Sequence, residues 1–249
     1  MKKKISTIAI IMGRKNSKTV KDKNVMKILN KKNFLYPLNA SKKSRFVDKI
    51  FFSTDHPEII NYANKNNIDV ITRPKKYNTD KALFEDALCY SYYKAIKKIG
   101  HDVNYIVVLM CNAITINYKL IDKGVSLLKK NKYADSAVTV SKFNMYSPLR
   151  ARKLNSKGFL DPFVPFKSFG NAAKLNCDKD SQGNVYFADM SHSITRSQTL
   201  RNIKNGLLPQ KWMGKKILPV FNSYGCDIDA GWQIAMSERW IKENLKYEK

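Results

Sequence analysis

Apolar positions along this chain come in two rhythms. Short runs rich in β-branched residues, at 5–12, 47–52, 69–72, 105–110, 136–140, 185–188 and 217–221, read as buried strands. Between them, apolar residues recur every three or four positions and predict helices at 34–44, 57–64, 82–99, 118–130 and 232–245. Leu83, Ala87, Leu88, Tyr92 and Ile96 make one helical stripe, and Ile234, Ala235, Trp240 and Ile241 another. The run 105–110 is wholly apolar, which places it at the centre of a sheet. Strands alternating with helices of this length predict an α/β fold with a doubly wound, mostly parallel sheet. The alternation breaks at Lys142. From 143 to about 179 the chain carries Pro148, Pro162, Pro165, Gly158 and Gly170, as expected of an excursion from a single domain spanning 1–249.

Charge changes this picture little. The chain of 249 residues has 46 Lys+Arg against 20 Asp+Glu, a formal charge of +26. Its lysines are spread through nearly every segment, with no basic stripe interleaved with aromatics, so no dedicated nucleic-acid partner is expected. Cys89, Cys111, Cys177 and Cys226 form no metal or disulfide spacing and suit a reducing compartment. The apolar run behind Met1-Lys2-Lys3-Lys4 is too short for a signal peptide, and no run approaches the ~20 apolar residues of a membrane helix. A cytoplasmic protein with no membrane partner is expected.

The chemistry gathers after the first strand. Gly13 permits a tight exit, and Arg14, Asn16, Ser17, Lys18, Lys23 and Asn24 crowd polar donors into one loop. Ligands in α/β proteins bind outside the carboxyl ends of strands, and a donor-rich loop there suits a polyphosphate. The bland alternative is a solvated basic turn. The loop is neither G-x-x-x-x-G-K-[ST] nor G-x-G-x-x-G, which disfavours a P-loop ATPase and a dinucleotide dehydrogenase. Near the other end, Asp227 and Asp229 stand two apart. On an extended segment their carboxylates share a face and suit one hard Mg²⁺ ion; in isolation the same pair also reads as a turn or cap.

The stretch IAIIMGRKNSKTVKDKN resembles the amino-terminal nucleotide-binding motif of the acylneuraminate cytidylyltransferase family, roughly A-R-x-x-S-K-G-x-x-x-K-N. Arg14, Ser17, Lys18, Lys23 and Asn24 match, Gly13 takes the place of the alanine, and Thr19 that of a glycine. VDKIFFSTDHPEI, ITRPKKYNTDKA, ADSAVTV and CDIDAGWQIAMSERW follow in the family's order, with Trp232-Gln233 where an acidic residue is common. The resemblance implies a nucleotide-diphospho-sugar-transferase (Rossmann-like) fold. It also implies Mg²⁺-dependent transfer of a nucleotidyl group, with CTP as donor and an acidic sugar such as a nonulosonic acid as acceptor. A homodimer crossing over through 143–179 goes with it.

In that reading Arg14 and Lys18 hold the β- and γ-phosphates and Lys23 adds a point charge. Asn24 and Arg73 contact base or ribose, Asp80 stands at the nucleotide or caps the helix from Ala82, and Asp227 and Asp229 hold the metal. The sequence departs from the family at the acceptor. Cys111-Asn112-Ala113-Ile114-Thr115-Ile116 stands where the sialic-acid enzymes carry a glutamine and a P-T-S-P-L-R run. Cys111, Asn112, Arg150, Arg152, Gln182 and Asn184 are the first candidates for acceptor contacts. A sugar phosphate or phosphonate acceptor, a basic polyanion-binding protein without catalysis, and a silent member of the fold remain as alternatives.

Overall fold

The computed structural model describes residues 4–15, 20–181 and 183–245. Seven strands form the main sheet: β1 (Thr7–Gly13), β2 (Lys49–Thr54), β3 (Asp69–Ile71), β4 (Tyr105–Met110), β5 (Ser136–Lys142), β6 (Tyr186–Arg196) and β7 (Ile217–Asn222). Their spatial order is β7-β5-β6-β4-β1-β2-β3. β1 lies between β2 and β4, all parallel, with Ile10 opposite Phe51 and Val108. β6 runs antiparallel between β4 and β5. The expected α/β architecture is present, and β4 occupies the middle of the sheet.

Alternate residues of β1 supply two separate cores. Ala9 and Ile11 pack with Phe34, Leu38, Phe52, Val107 and Leu109, beneath α1 (Leu35–Lys43), α2 (Pro57–Lys65) and α4 (Tyr118–Lys130). Ile8, Ile10 and Met12 face the other way, onto Leu88 and Tyr92 of α3 (Phe84–Ile99). A strand buried on both faces needs no polar alternation, which is why its sequence is a continuous apolar run. A short α5 (Ser197–Arg201) follows β6. The closing helix α6 (Trp232–Asn244) buries Trp240 and Ile241 against Ile28, Tyr36, Ile114 and Ile228.

Two elements differ from expectation. The strand foreseen at 185–188 extends to Arg196, with a bulge between Ala188 and Ser193. Its second half, Ser191-His192-Ser193-Ile194-Thr195, is polar in sequence yet buried. Several of its polar groups are taken up by the neighbouring strands and loops: Ser191 meets Thr115 at 2.9 Å, the His192 carbonyl accepts from the Thr139 hydroxyl, and Trp212 donates to Ser193. Hydropathy alone does not see such a strand. The helix foreseen from Ala82 begins at Phe84, and its N-cap, Leu83, makes no side-chain cap bond. The excursion 143–179 is present as single turns around a hairpin, Arg152–Leu154 with Leu160–Pro162. It exposes Leu154, Phe159, Leu160 and Phe163. No helix among the described residues is long and apolar enough to cross a membrane.

His192 lies buried beneath α4, where a Cβ on Gly124 would stand 3.4 Å from its ring. Burial pushes its imidazole below the ordinary 6.5; the Leu120 backbone and the Asp189 charge oppose this only in part. A base with a lowered native pKa takes up its proton more readily unfolded, so the stability it permits falls as pH drops below 6.5. Thermal unfolding is therefore expected to lose up to about 1.4 kcal/mol per pH unit from this group on the acid side. A His192→Leu variant should flatten that slope; an unchanged slope assigns the acid sensitivity elsewhere.

Candidate active site

β1 and β4 end side by side, and a cavity of about 260 Å³ opens at their carboxyl ends. Met12, Gly13, Arg14, Lys23, Asn24, Arg73, Asp80, Met110 and Asn112 reach it from three stretches of the chain, 12–24, 73–80 and 110–112. Six of the residues singled out for the nucleotide or the reaction therefore share one wall: Gly13, Arg14, Lys23, Asn24, Arg73 and Asp80. Asn16, Ser17 and Lys18 lie outside the described residues.

The wall is tied together by its own polar groups. Arg14 pairs with Asp80 at 2.6 Å. The cap role foreseen for Asp80 on α3 is thus not the one it takes, because its carboxylate turns back to the loop. Asn24 is almost fully buried; its amide donates to the Arg14 carbonyl at 2.8 Å, while its side-chain oxygen is without a partner among the described residues. A buried unpaired acceptor is costly unless something fills it, so this oxygen is available to a ligand donor. Arg73 is 6% exposed and donates to Asn78 at 2.8 Å and to the Gly13 carbonyl at 3.3 Å. Burial draws its guanidinium below the ordinary arginine range and the Asp55 charge opposes that; it remains a cation held inside the wall.

Asp227 and Asp229 lie on the connection between β7 and α6. This segment is not a strand, yet it presents both carboxylates together because Ile228 between them is buried in the opposite direction. Asn112 holds it from both sides: the Ile228 N–H donates to the Asn112 carbonyl at 3.1 Å, and the Asn112 amide donates to the Ile228 carbonyl at 3.0 Å. The same amide stands 3.5 Å from Asp227 Oδ2. Lys23 Nζ binds Asp229. The Asp227 carboxyl is raised above the usual carboxylate range, first by burial and then by the Asp229 charge, with Lys23 pulling it down. Two hard carboxylates in excess of their local cation suit Mg²⁺, which takes one or two carboxylates and completes its shell with water and phosphate oxygens. Among the described residues no larger cluster of His, Cys, Asp or Glu is present to compete.

A second cavity, of about 370 Å³, is lined by Asp227. Phe143, Tyr146, Phe187, Met190, Trp232 and Met236 line most of it, with Asp189 and Gly225 at its base. Sequence reasoning missed this wall, since its aromatics come from three segments that carry no shared motif. Gly225 was the available signal. A Cβ there would sit 2.5 Å from Asp189 Oδ2 and 2.4 Å from the Asn222 amide, so only glycine lets the chain pass over Asp189 on its way to Asp227.

The acceptor candidates are dispersed. Asn112 is in the site as a clamp. Cys111 is fully buried behind Gly13, with a thiol pushed up to about 12 by burial, and faces no cavity. Arg150 and Arg152 line a different cavity, in the excursion, where they donate to the carbonyls of Cys177 and Leu149. Asn184 is exposed, and Gln182 lies outside the described residues. The structure does not bring Arg150, Arg152 or Asn184 to the Asp227/Asp229 pair within the chain.

Known proteins are similar to this chain to different degrees. Over 223 residues the chain is 26% identical to the pseudaminic acid cytidylyltransferase and UDP-2,4-diacetamido-2,4,6-trideoxy-beta-L-altropyranose hydrolase of Helicobacter pylori, covering 86% of this chain and 37% of that protein. It is 33% identical over 75 residues to the N-acylneuraminate cytidylyltransferase of Escherichia coli O18:K1:H7, which is 30% of this chain and 18% of the relative. The chain thus spans less than two-fifths of the length of these relatives. In fold it is similar to a CMP:2-keto-3-deoxy-manno-octonic acid synthetase complexed with CTP, with a TM-score of 0.65 at 12% identity, covering 96% of this chain and 100% of the other. The 4-diphosphocytidyl-2C-methyl-D-erythritol synthase of Anaerococcus prevotii follows with a TM-score of 0.60, 12% identity, and coverage of 95% and 96%. The family model for cytidylyltransferases matches residues 8–157, from the first strand into the excursion, and with that match this chain belongs to the cytidylyltransferase family.

Proposed function

We propose that the protein transfers a cytidylyl group from CTP to the anomeric hydroxyl of a nonulosonic acid and releases pyrophosphate. One observation carries the reading: Asp227 lines one cavity, while Asn112 and Lys23, which line another of opposite character, contact Asp227 and Asp229. On one side Arg14, Lys23, Asn24 and Arg73 offer cations and amide groups to a nucleotide; on the other an apolar cavity touches Asp227. Donor and acceptor brought from two cavities to one carboxylate pair is what displacement at phosphorus asks for.

The hydroxyl oxygen of the acceptor bonds to the α-phosphorus as the bond from that phosphorus to the oxygen bridging the β-phosphate breaks. The electron pair leaves with pyrophosphate, and the hydroxyl proton passes to water. Arg14 and Lys23 offset the charge that builds on the departing oxygens, and Arg73 and Asn24 hold the nucleoside end. Asp227 and Asp229 would hold Mg²⁺, which supplies positive charge to the phosphate oxygens. The exposed Leu154, Phe159, Leu160 and Phe163 of the excursion fit a homodimer formed through 143–179.

Pyrophosphate release is the test, with each of the four ribonucleoside triphosphates against nonulosonic acids, 3-deoxy-octulosonate, hexose 1-phosphates and phosphonates, with Mg²⁺ and with chelator. Turnover that requires CTP, an acid sugar and the metal is expected. A phosphorylated acceptor or another triphosphate would replace the substrate and keep the chemistry, and failure of any nucleotide to bind would remove the reading.

A further inference from the structure

The segment that carries Asp227 and Asp229 is a connection and not a strand, so its backbone groups are held one by one. The Gly225 N–H donates to the Ser141 hydroxyl at 2.9 Å. The Thr115 hydroxyl accepts from the Cys226 N–H at 2.9 Å and lies 3.0 Å from the Cys226 carbonyl. Asn112 takes both backbone groups of Ile228. Past Ile228 the holder changes. Gln233 Oε1 accepts from the N–H of Asp229 and from that of Ala230, each at 2.6 Å.

Two successive N–H groups converging on one oxygen form a small cradle for an acceptor, and here the acceptor is a neutral amide. This is not the capping of α6. The N-cap residue, Gly231, makes no side-chain cap bond, and Gln233 reaches back to the two residues before it, not to the N–H groups of the first turn. The helix is seated in the core further along: Trp240 and Ile241 are buried, and the Trp240 ring N–H donates to Asn222 at 3.0 Å. What Gln233 does fix is Asp229. That side chain is 56% exposed, so packing does not set its direction; the Gln233 oxygen on its backbone and Lys23 on its carboxylate do.

We propose that Gln233 is a positioning residue for cytidylyl transfer: its side-chain oxygen fixes the backbone of Asp229 and Ala230 and so aims the Asp229 carboxylate at the metal it shares with Asp227. The inference rests on the reading above, in which the pair holds Mg²⁺, and adds a residue that acts on the ion only through Asp229. The choice of an amide has a second consequence. Glutamate at this position would accept from the same two N–H groups and add a third negative charge beside Asp227 and Asp229. Glutamine keeps the geometry with two carboxylates set against Lys23, and the ion is held less tightly for it.

The test measures binding of Mn²⁺, a paramagnetic stand-in for Mg²⁺, by electron paramagnetic resonance on the whole protein. A CTP analogue with a methylene group joining its α- and β-phosphates is present, so that no turnover enters. Gln233→Met keeps the length of the side chain and removes the oxygen; it is expected to weaken Mn²⁺ binding by about tenfold or more, the scale of an outer partner of a metal ligand. In turnover the same variant should raise the Mg²⁺ concentration for half-maximal rate in proportion, with the KM for CTP at saturating Mg²⁺ within about threefold of wild type. Gln233→Glu should restore the geometry and bind Mn²⁺ at least about threefold more tightly than wild type. A lower Tm in Gln233→Met with unchanged Mn²⁺ binding makes Gln233 a structural residue only and overturns the proposal. So does a Gln233→Glu variant that binds Mn²⁺ no more tightly than wild type, and this decides the matter even where Gln233→Met does not fold. If the wild type binds the analogue but no Mn²⁺ with it, the metal reading of the pair falls and takes this inference with it; if the wild type binds both and the variants are indifferent, this inference alone falls.

Discussion

Asp227→Asn is expected to lower pyrophosphate release from CTP by roughly 10³-fold, about 4 kcal/mol of transition-state stabilisation, while CTP affinity by calorimetry changes by less than about tenfold. The substitution keeps the side chain's shape, so the clamp from Asn112 on Ile228 stays and the segment does not move. What it removes is half of the negative charge of the pair. Asp229 is not equivalent. Its side chain is 56% exposed and already bound by Lys23, so Asp229→Asn both weakens the metal position and frees that ammonium. A smaller loss, roughly 10–100-fold, is expected there. If Asp227→Asn keeps more than about a tenth of the wild-type rate with Mg²⁺ saturating, the pair is a structural device and the transfer chemistry has its metal elsewhere.

The part of this site that was legible in the sequence is the part built from contiguous chain. Gly13 through Asn24 follows an uninterrupted apolar strand, and polar donors packed directly after such a strand have few other uses. Asp227 and Asp229 were legible as a pair, but for a partly different reason. The segment is a connection and not a strand, and the common direction of the carboxylates comes from burying Ile228 and from two hydrogen bonds to Asn112, a residue 116 positions away. Asp80 shows the limit of local reasoning. An acidic residue shortly before a helix reads as a cap, yet an arginine brought up by the β1 loop competes for it and wins. The polar half of β6 was invisible because its serines meet non-local partners and its histidine is buried beneath α4, which no periodicity records. The apolar cavity was hidden for the same reason: Phe143 follows one strand, Phe187 lies near the start of another, Trp232 opens a helix, and only the fold sets them around Asp227.

Gly13→Ala should lower both stability and nucleotide affinity, and a second change at Cys111 should restore much of the loss. A Cβ added at Gly13 would meet Cys111 Sγ at 2.7 Å, Cys111 Cβ at 3.0 Å and the Asn24 amide nitrogen at 3.1 Å. The first contact is impossible without movement, and Cys111 is fully buried in a core that does not yield cheaply. An overpacked methyl in such a place costs about 2 kcal/mol, or roughly 4–8 °C in Tm for a chain of this size. Movement on the other side displaces Asn24 and its bond to the Arg14 carbonyl, so the KM for CTP should rise with the fall in Tm. Cys111→Ala alone removes one sulfur atom and leaves a small void. In the double variant that void receives the new methyl, leaving the 3.0 Å contact to be absorbed by a shift of a few tenths of an ångström. The two changes should therefore be less costly together than their sum by about 1 kcal/mol or more. The pairing also gives a physical reason for the glycine that stands here where the acylneuraminate enzymes have alanine: the sulfur behind it occupies the room that an alanine methyl would take. Strictly additive effects of Gly13→Ala and Cys111→Ala, in both Tm and KM, would show that the loop and the end of β4 are not coupled through this contact.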